Sequence, residues 1–130
     1  MTDKQVEILL IDDDRQYLFL HEFLIKKSNL CQDPVSLNSG ELAKDYMNKN
    51  YQTDRQFLIF LDIYMPNLDG WTFLEFIESS FSIQNIKVIL VSSSVNKDDK
   101  AKSKQHPSVI DYIEKPLLLN HLKTLQNQLF

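Results

Sequence analysis

The chain has 130 residues, of which 43% are hydrophobic and 25% are charged, and its formal net charge is −4 at pH 7. This length suits about one domain, and the negative charge argues against direct nucleic-acid binding, which needs a basic face. The two glycines, Gly40 and Gly70, are too far apart for a P-loop, and no apolar run approaches the roughly 20 residues that span a bilayer.

Short apolar runs alternate with longer amphipathic stretches along the chain. The runs predict strands, and apolar residues spaced three or four apart predict helices between them. The predicted elements, in chain order, are a strand at Val6–Ile11, a helix at about 15–28 capped by Asp14, a strand at Cys31–Leu37, a helix from Ser39-Gly40, a strand at Phe57–Leu61, a helix at about 71–80, a strand at Ile86–Val91, a helix-compatible segment at 96–106, a strand at Val109–Ile113 and a last helix after Pro116.

Five strands that alternate with helices predict a parallel sheet covered on both faces. Pro34 places the second strand at an edge, because proline cannot donate to a strand ladder. The segment 96–106 has Ala101 as its only apolar anchor, so we expect low local stability and a candidate switching element there. The last helix carries a leucine stripe predicted to pack in the core: Leu118, Leu122, Leu125 and Leu129.

Polar residues follow several of the predicted strands. Ligands of parallel α/β sheets bind beyond the carboxyl ends of the strands, so these residues are the candidate site. Each of them alone is weak evidence, since a strand-end aspartate or a serine-rich loop is common, but together they are not easily dismissed. The residues are Asp12, Asp13 and Asp14 after the first strand, Asp62 after the third, Ser92, Ser93 and Ser94 after the fourth, and Lys115 after the fifth.

This set of side chains suits phosphoryl chemistry. Two carboxylates about 4 Å apart repel by roughly 4 kcal/mol at an effective dielectric constant near 20. Lys115 alone leaves the site negative, and carboxylate oxygens favour Mg²⁺ over a transition metal. A metal ion, an ammonium and a hydroxyl match the three oxygens of a phosphoryl group, and one carboxylate is then free to act as nucleophile and form an aspartyl-phosphate.

Four motifs in order resemble the receiver (CheY-like) domain of two-component response regulators: IDDD at 11–14, LDIYMPNLDG at 61–70, VSSS at 91–94 and DYIEKP at 111–116. The resemblance covers essentially the whole chain. It implies a flavodoxin-like doubly wound (βα)5 fold with strand order 2-1-3-4-5. It also implies a single receiver domain over residues 1–130 with no output domain, acting as a single-domain response regulator of a phosphorelay.

The resemblance assigns a role to each acidic position. Asp62 matches the phosphoacceptor, and Asp12 and Asp13 match the acidic pair that positions Mg²⁺ together with Asp62. The backbone carbonyl of Tyr64 matches a further metal ligand. The implied phosphodonor is a sensor histidine kinase or a histidine phosphotransfer protein. The resemblance further implies that this chain is not an enzyme but a phosphoacceptor that assists its own phosphorylation and slow dephosphorylation.

The same resemblance implies a conformational switch. Ser92 and Lys115 match the residues that bind the phosphoryl group, and Ser92 with Tyr112 match the pair that remodels the face of the fourth helix, fifth strand and fifth helix. That face is expected to dock an unknown protein target. The family commonly has a cis bond before the proline of Lys115-Pro116. The residues before Asp111 depart from the usual Gly-Ala, with His106-Pro107-Ser108 nearby.

The sequence predicts a cytoplasmic location for the protein. Cys31 is the only cysteine, which excludes an internal disulfide and fits the reducing cytoplasm, and no membrane association is expected.

Three other protein classes remain as alternatives. A haloacid-dehalogenase-type phosphatase would use Asp12 as its nucleophile, yet needs a late acidic pair where this chain has Lys115-Pro116. A flavin-binding flavodoxin would need a Ser/Thr/Gly-rich phosphate loop after the first strand, and this chain has no such loop. A phosphate-independent binding module remains the strongest rival.

Overall fold

The computed structural model describes residues 6–30, 33–93 and 96–129, and for residues 127–129 the backbone alone. Strands and helices alternate along the chain, with a short 3₁₀ turn at Ile83–Asn85 before the fourth strand. The elements are β1 (Val6–Ile11), α1 (Arg15–Lys27), β2 (Val35–Leu37), α2 (Gly40–Asn50), β3 (Gln56–Asp62), α3 (Gly70–Ser80), β4 (Ile86–Ser92), α4 (Lys97–Ser103), β5 (Val109–Glu114) and α5 (Leu119–Leu129).

The five strands form one sheet in the order β2-β1-β3-β4-β5, and every pairing is parallel. This confirms the predicted fold class and strand order. β1 and β3 are neighbours with Ile11 opposite Leu61, so the residues that follow these two strands start from adjacent positions. The register shifts once, between Val88 and Ile89 opposite β5, which leaves Ile110 outside the ladder.

The sheet is covered on both faces because successive side chains of a strand point to opposite sides. On one face, Leu9 and Ile59 pack with residues of α2 and α3 such as Met47 and Phe73. The other face carries a second cluster against α1 and α5. Its members are Ile8, Leu10, Leu18, Ile25, Leu58, Phe60, Ile89, Val91, Ile113, Leu117, Leu122 and Leu125.

Side-chain caps begin four of the helices. Asp14 accepts a hydrogen bond from the backbone N–H of Gln16, as predicted from the sequence. The other capping residues, Ser39, Asp69 and Asn96, bond the backbone N–H three residues further on. Each cap satisfies a backbone donor that the first helical turn leaves without a partner, and so fixes where the helix begins.

Three sequence expectations need correction. The second strand is only Val35–Leu37, although it is an edge strand with Pro34 just before it; Cys31 lies outside the described residues. Ala101 is exposed, and the one buried residue of α4 is Ser103, because α4 contacts the rest of the protein through polar side chains. Leu118 precedes α5 and is 50% exposed, since the buried stripe begins at Leu122.

Candidate functional site

Three carboxylates meet at the carboxyl edge of the sheet. Asp12 and Asp13 follow β1, and Asp62 ends β3, its neighbour. One oxygen from each lies within 4.8 Å of the other two. Asp12 and Asp62 are buried, whereas Asp13 is exposed. The predicted convergence of these aspartates is therefore present, and Asp14 stands apart as a helix cap.

Lys115 reaches the same point from the end of β5. Its Nζ lies 2.7 Å from Oδ2 of Asp12 and 3.5 Å from Oδ2 of Asp62, and only 5% of its side chain is exposed. Burial acts to lower the pKa of this ammonium. The hydrogen bond to Asp12 and the negative charges of Asp12 and Asp62 outweigh burial, so the pKa is raised and Lys115 remains charged.

Asp62 is the carboxyl group whose protonation the site changes most. Burial and, after it, the negative charge of Asp12 raise the pKa of Asp62 to about 7, although Lys115 acts in the opposite direction. Three carboxylates with one ammonium leave an excess of negative charge. An added cation would relieve this repulsion and restore the ionised form of Asp62. The donor set fits Mg²⁺, because this group of ligands consists of carboxylate oxygens.

The loop after β3 turns back tightly against the end of that strand. The backbone N–H of Gly70 donates to the carbonyl of Ile63 at 2.7 Å. A Cβ atom at Gly70 would lie 2.5 Å from the carbonyl oxygen of Asp62, so a residue without a side chain is required there. Asn67 adopts a positive φ of 68° in the same loop, a conformation that asparagine tolerates. The sequence Asn-Leu-Asp-Gly thus permits a short return from the end of β3 to the start of α3.

Tyr64 connects this loop to α4. Its side chain is 53% exposed, and its hydroxyl donates a hydrogen bond to Asp99. Asp99 also accepts from the side chain of Asn96, which caps the same helix. The hydrogen bond raises the pKa of Tyr64. No local sequence pattern indicates this contact, because residues 64 and 99 belong to different segments.

Ser92 and Tyr112 lie on the neighbouring strands β4 and β5. Ser92 is buried at the end of β4, and its carbonyl accepts a hydrogen bond from the backbone N–H of Lys115 at 2.9 Å. Burial raises the pKa of the half-buried Tyr112, and a side-chain hydrogen bond with Ser92 offsets this only in part. The two predicted switch residues are therefore in contact. Ser94 lies outside the described residues.

Two α1 residues that the sequence analysis left out contact the Lys115 loop. The ring of Tyr17 lies 4.5 Å from the Nζ of Lys115. His21 is buried, and its Nε2 accepts the backbone N–H of Leu117 at 3.1 Å. Burial and then the charge of Lys115 lower the pKa of His21 to about 4. The helical spacing of three and four residues could have identified His21 as a buried residue, since it falls between the buried residues Leu18 and Ile25 on α1.

A polar cluster replaces the residues that the resemblance leads one to expect before β5. Glu78 of α3 accepts hydrogen bonds from His106 and from both the backbone and the hydroxyl of Ser108. Burial opposes ionisation of Glu78, but these bonds outweigh it and lower its pKa. Trp71 stacks on His106, and Lys102 lies 4.6 Å above the Trp71 ring. The cluster ties the end of α4 to α3.

The chain matches the family model of the response regulator receiver domain over residues 8–127. It is 28% identical over 120 residues to the two-component response regulator ORR24 of Oryza sativa subsp. japonica, covering 92% of this chain but 18% of that protein. Response regulator Rcp1 of Synechocystis sp. is 27% identical over 95 residues, which are 71% of this chain and 65% of Rcp1. The chain thus spans less than a fifth of the plant relative's length.

Solved structures of receivers have the same fold. A two-component response regulator from Cytophaga hutchinsonii superimposes with a TM-score of 0.87 at 32% identity, covering 97% of each chain. A response regulator receiver protein from Dyadobacter fermentans gives a TM-score of 0.84 at 25% identity, over 95% of this chain and 96% of its own. Among the described residues, no helix is both long enough and apolar enough to cross a membrane.

Proposed function

The chain belongs to the response regulator receiver domain family of two-component signalling, and from that premise we propose that it accepts a phosphoryl group on Asp62. The donor is a sensor histidine kinase or a histidine phosphotransfer protein, and the acceptor acts in the cytoplasm. One observation carries the proposal: Asp12, Asp13 and Asp62 offer oxygens within 4.8 Å of one another, with the Lys115 ammonium against two of them.

The transfer is a displacement at phosphorus. A carboxylate oxygen of Asp62 forms a bond to phosphorus while the bond from phosphorus to the donor breaks, and the donor atom leaves with the electron pair. Lys115 pairs with the phosphoryl oxygens, and the hydroxyl of Ser92 donates a hydrogen bond to one of them. Asp62 must be ionised to attack, and because its pKa is raised to about 7, an added cation would increase the fraction that is ionised at neutral pH.

Magnesium is the cation that this donor set would hold. Its ligands would be Asp12, Asp13, Asp62 and the backbone carbonyl of Tyr64. When bound, it supplies positive charge to the phosphoryl oxygens and favours the ionised form of Asp62. The chain itself provides the buried, preformed pair of Asp12 and Lys115 beside the acceptor.

The proposed output is a change in the face formed by α4, β5 and α5. When a phosphoryl group recruits Ser92, the hydrogen bond between Ser92 and Tyr112 is exchanged and Tyr112 is released to repack. The weakly buried α4 is the element that can respond at low cost. The remodelled face then docks a downstream protein target, and hydrolysis of the mixed anhydride at Asp62 slowly ends the signal.

Intact-mass spectrometry tests the acceptor. With acetyl phosphate and Mg²⁺, we expect the wild-type chain to gain one phosphoryl group, the Asp62→Asn variant to gain none, and EDTA to prevent the gain. Asp45→Asn, an exposed aspartate of α2, is the matched control and should label like the wild type.

Three outcomes would contradict the proposal. Labelling that persists in Asp62→Asn would place the acceptor elsewhere, and labelling in EDTA would remove the role given to the acidic pair. If no donor, acetyl phosphate or kinase, modifies the wild type, the chain is a phosphate-independent binding module.

A further inference from the structure

Lys115 depends on contacts from outside the acidic group. A buried ammonium loses its hydration, and that loss is costly unless other groups compensate for it. Asp12 and Asp62 face it on one side, at 2.7 Å and 3.5 Å. The ring of Tyr17, on the first turn of α1, lies 4.5 Å from the same nitrogen atom. An aromatic face attracts a cation, so Tyr17 covers the ammonium with a surface that offsets its lost water.

α1 also holds the backbone that carries this lysine. His21, one turn after Tyr17, is 3% exposed, and its Nε2 accepts the N–H of Leu117 at 3.1 Å. Leu117 is completely buried, so its N–H would have no access to water if the imidazole were absent. The Tyr17 and His21 rings are 5.7 Å apart and support each other. α1 therefore contacts both ends of the tripeptide Lys115-Pro116-Leu117.

We propose that Tyr17 and His21 are positioning residues that hold the Lys115 ammonium at the acceptor carboxylate, Tyr17 through its ring and His21 through the backbone of Leu117. The inference deepens the proposed phosphorylation of Asp62 and rests on it. Neither residue touches the phosphoryl group. The low pKa of His21, about 4, agrees with this role, because only a neutral imidazole can accept a hydrogen bond at Nε2.

The decisive experiment separates phosphoryl recognition from metal binding. In the proposed function, Lys115 pairs with the phosphoryl oxygens, whereas the carboxylates of the acidic group would hold Mg²⁺. We therefore expect Tyr17→Leu to lower both the affinity for beryllofluoride and the rate of labelling by acetyl phosphate about three- to tenfold, the range of a partly buried cation–π contact. Its Mg²⁺ affinity, measured by calorimetry, should change less than its beryllofluoride affinity, because Tyr17 contacts the Lys115 ammonium and is not one of the carboxylates that would hold the ion.

Two controls make the result specific. Tyr17→Phe keeps the ring and should retain the wild-type affinity for beryllofluoride. Phe19→Leu makes the same kind of change on the exposed side of α1, where Phe19 is 78% exposed, and should have no effect. If Tyr17→Leu matches Phe19→Leu, or if Tyr17→Phe loses as much as Tyr17→Leu, the role of the ring is refuted.

The His21 contact is tested with a pair of variants. His21→Leu removes the acceptor and should weaken beryllofluoride binding, whereas His21→Gln supplies a side-chain oxygen and should restore most of it. Thermal unfolding of both variants identifies those that remain folded. Equal losses in Leu and Gln variants that are both folded would refute the backbone contact.

A readout in the unphosphorylated protein keeps this inference separate from the proposed function. The ring current of Tyr17 should shift the NMR signals of the Lys115 side-chain Cε–H protons upfield, in wild type and Tyr17→Phe but not in Tyr17→Leu. If the wild type takes up neither beryllofluoride nor phosphate, the proposed function fails while this shift still reports the contact. If the shift is absent from the wild type, the positioning inference fails by itself.

Discussion

The helices α1 and α4 both border the carboxyl edge of the sheet, but different forces hold them. α1 has 13 residues and buries Leu18, His21 and Ile25 against β1, β3 and α5. α4 has seven residues and buries only Ser103. Since burial of apolar surface dominates local stability, α1 should open only with the whole domain, whereas α4 can move alone.

Polar contacts replace the missing core under α4. Asp99 bonds the hydroxyl of Tyr64, Lys102 covers the ring of Trp71, and Glu78 holds the segment that follows the helix. Such contacts are individually weak where water competes, and they can be exchanged without creating a cavity. At the same edge of the sheet, buried apolar contacts therefore hold α1, whereas polar contacts hold α4.

The largest expected difference is in global stability. Ile25→Ala in α1 should lower the free energy of unfolding by about 2–5 kcal/mol, because it leaves a cavity in a completely buried position. Ala101→Gly in α4 should lower it by at most about 1 kcal/mol, the helix-propensity cost of glycine. Urea denaturation followed by circular dichroism measures both. Equal losses would break the distinction between the two helices.

Asp62 should make the free energy of unfolding depend on pH. The pKa of Asp62 is raised to about 7 in the folded protein, so folded Asp62 keeps a proton that the unfolded chain releases near pH 4. Without Mg²⁺, the contribution of this group should therefore fall as pH rises from about 4 to about 7, by no more than about 1.4 kcal/mol per pH unit.

The Asp62→Asn variant has no such titration, and its stability curve should be flatter over that interval. Denaturation in EDTA at several pH values measures the difference between the variant and the wild type. If the two curves run parallel from pH 4 to pH 7, the raised pKa of Asp62 is wrong. Adding Mg²⁺ to the wild type at pH 7 should increase its stability, because the ion binds only the folded site.

The smallest effect should be confined to α4. Tyr64→Phe removes the hydroxyl that donates to Asp99, so amide hydrogen exchange in α4 should become about three- to tenfold faster, as expected for one partly exposed hydrogen bond. Exchange in α1 should not change. Tyr46→Phe, on the remote helix α2, is the matched control. Unchanged exchange in α4, or faster exchange in both helices, would show that Tyr64 does not hold α4.

The sequence predicted the type and order of every helix and strand and the order of strands in the sheet. This was possible because strand-length apolar runs and helical spacing are local patterns, and motif resemblance supplied the sheet order. Boundaries were less well predicted where no local signal exists. Cys31–Leu37 was too long for β2, and Leu118 was assigned to the core although it precedes the first buried turn of α5.

Residue order by itself determined which side chains reach the carboxyl edge: Asp62 ends a strand, Asp12 and Lys115 each follow one, and parallel strands end at the same edge. Tertiary structure alone decided what holds them there. The contacts of Tyr17 with Lys115, Tyr64 with Asp99, and Glu78 with Ser108 join residues that are 30 or more positions apart. Helical or strand periodicity extends over a few residues only, so contacts between distant segments depend on packing that no local pattern records.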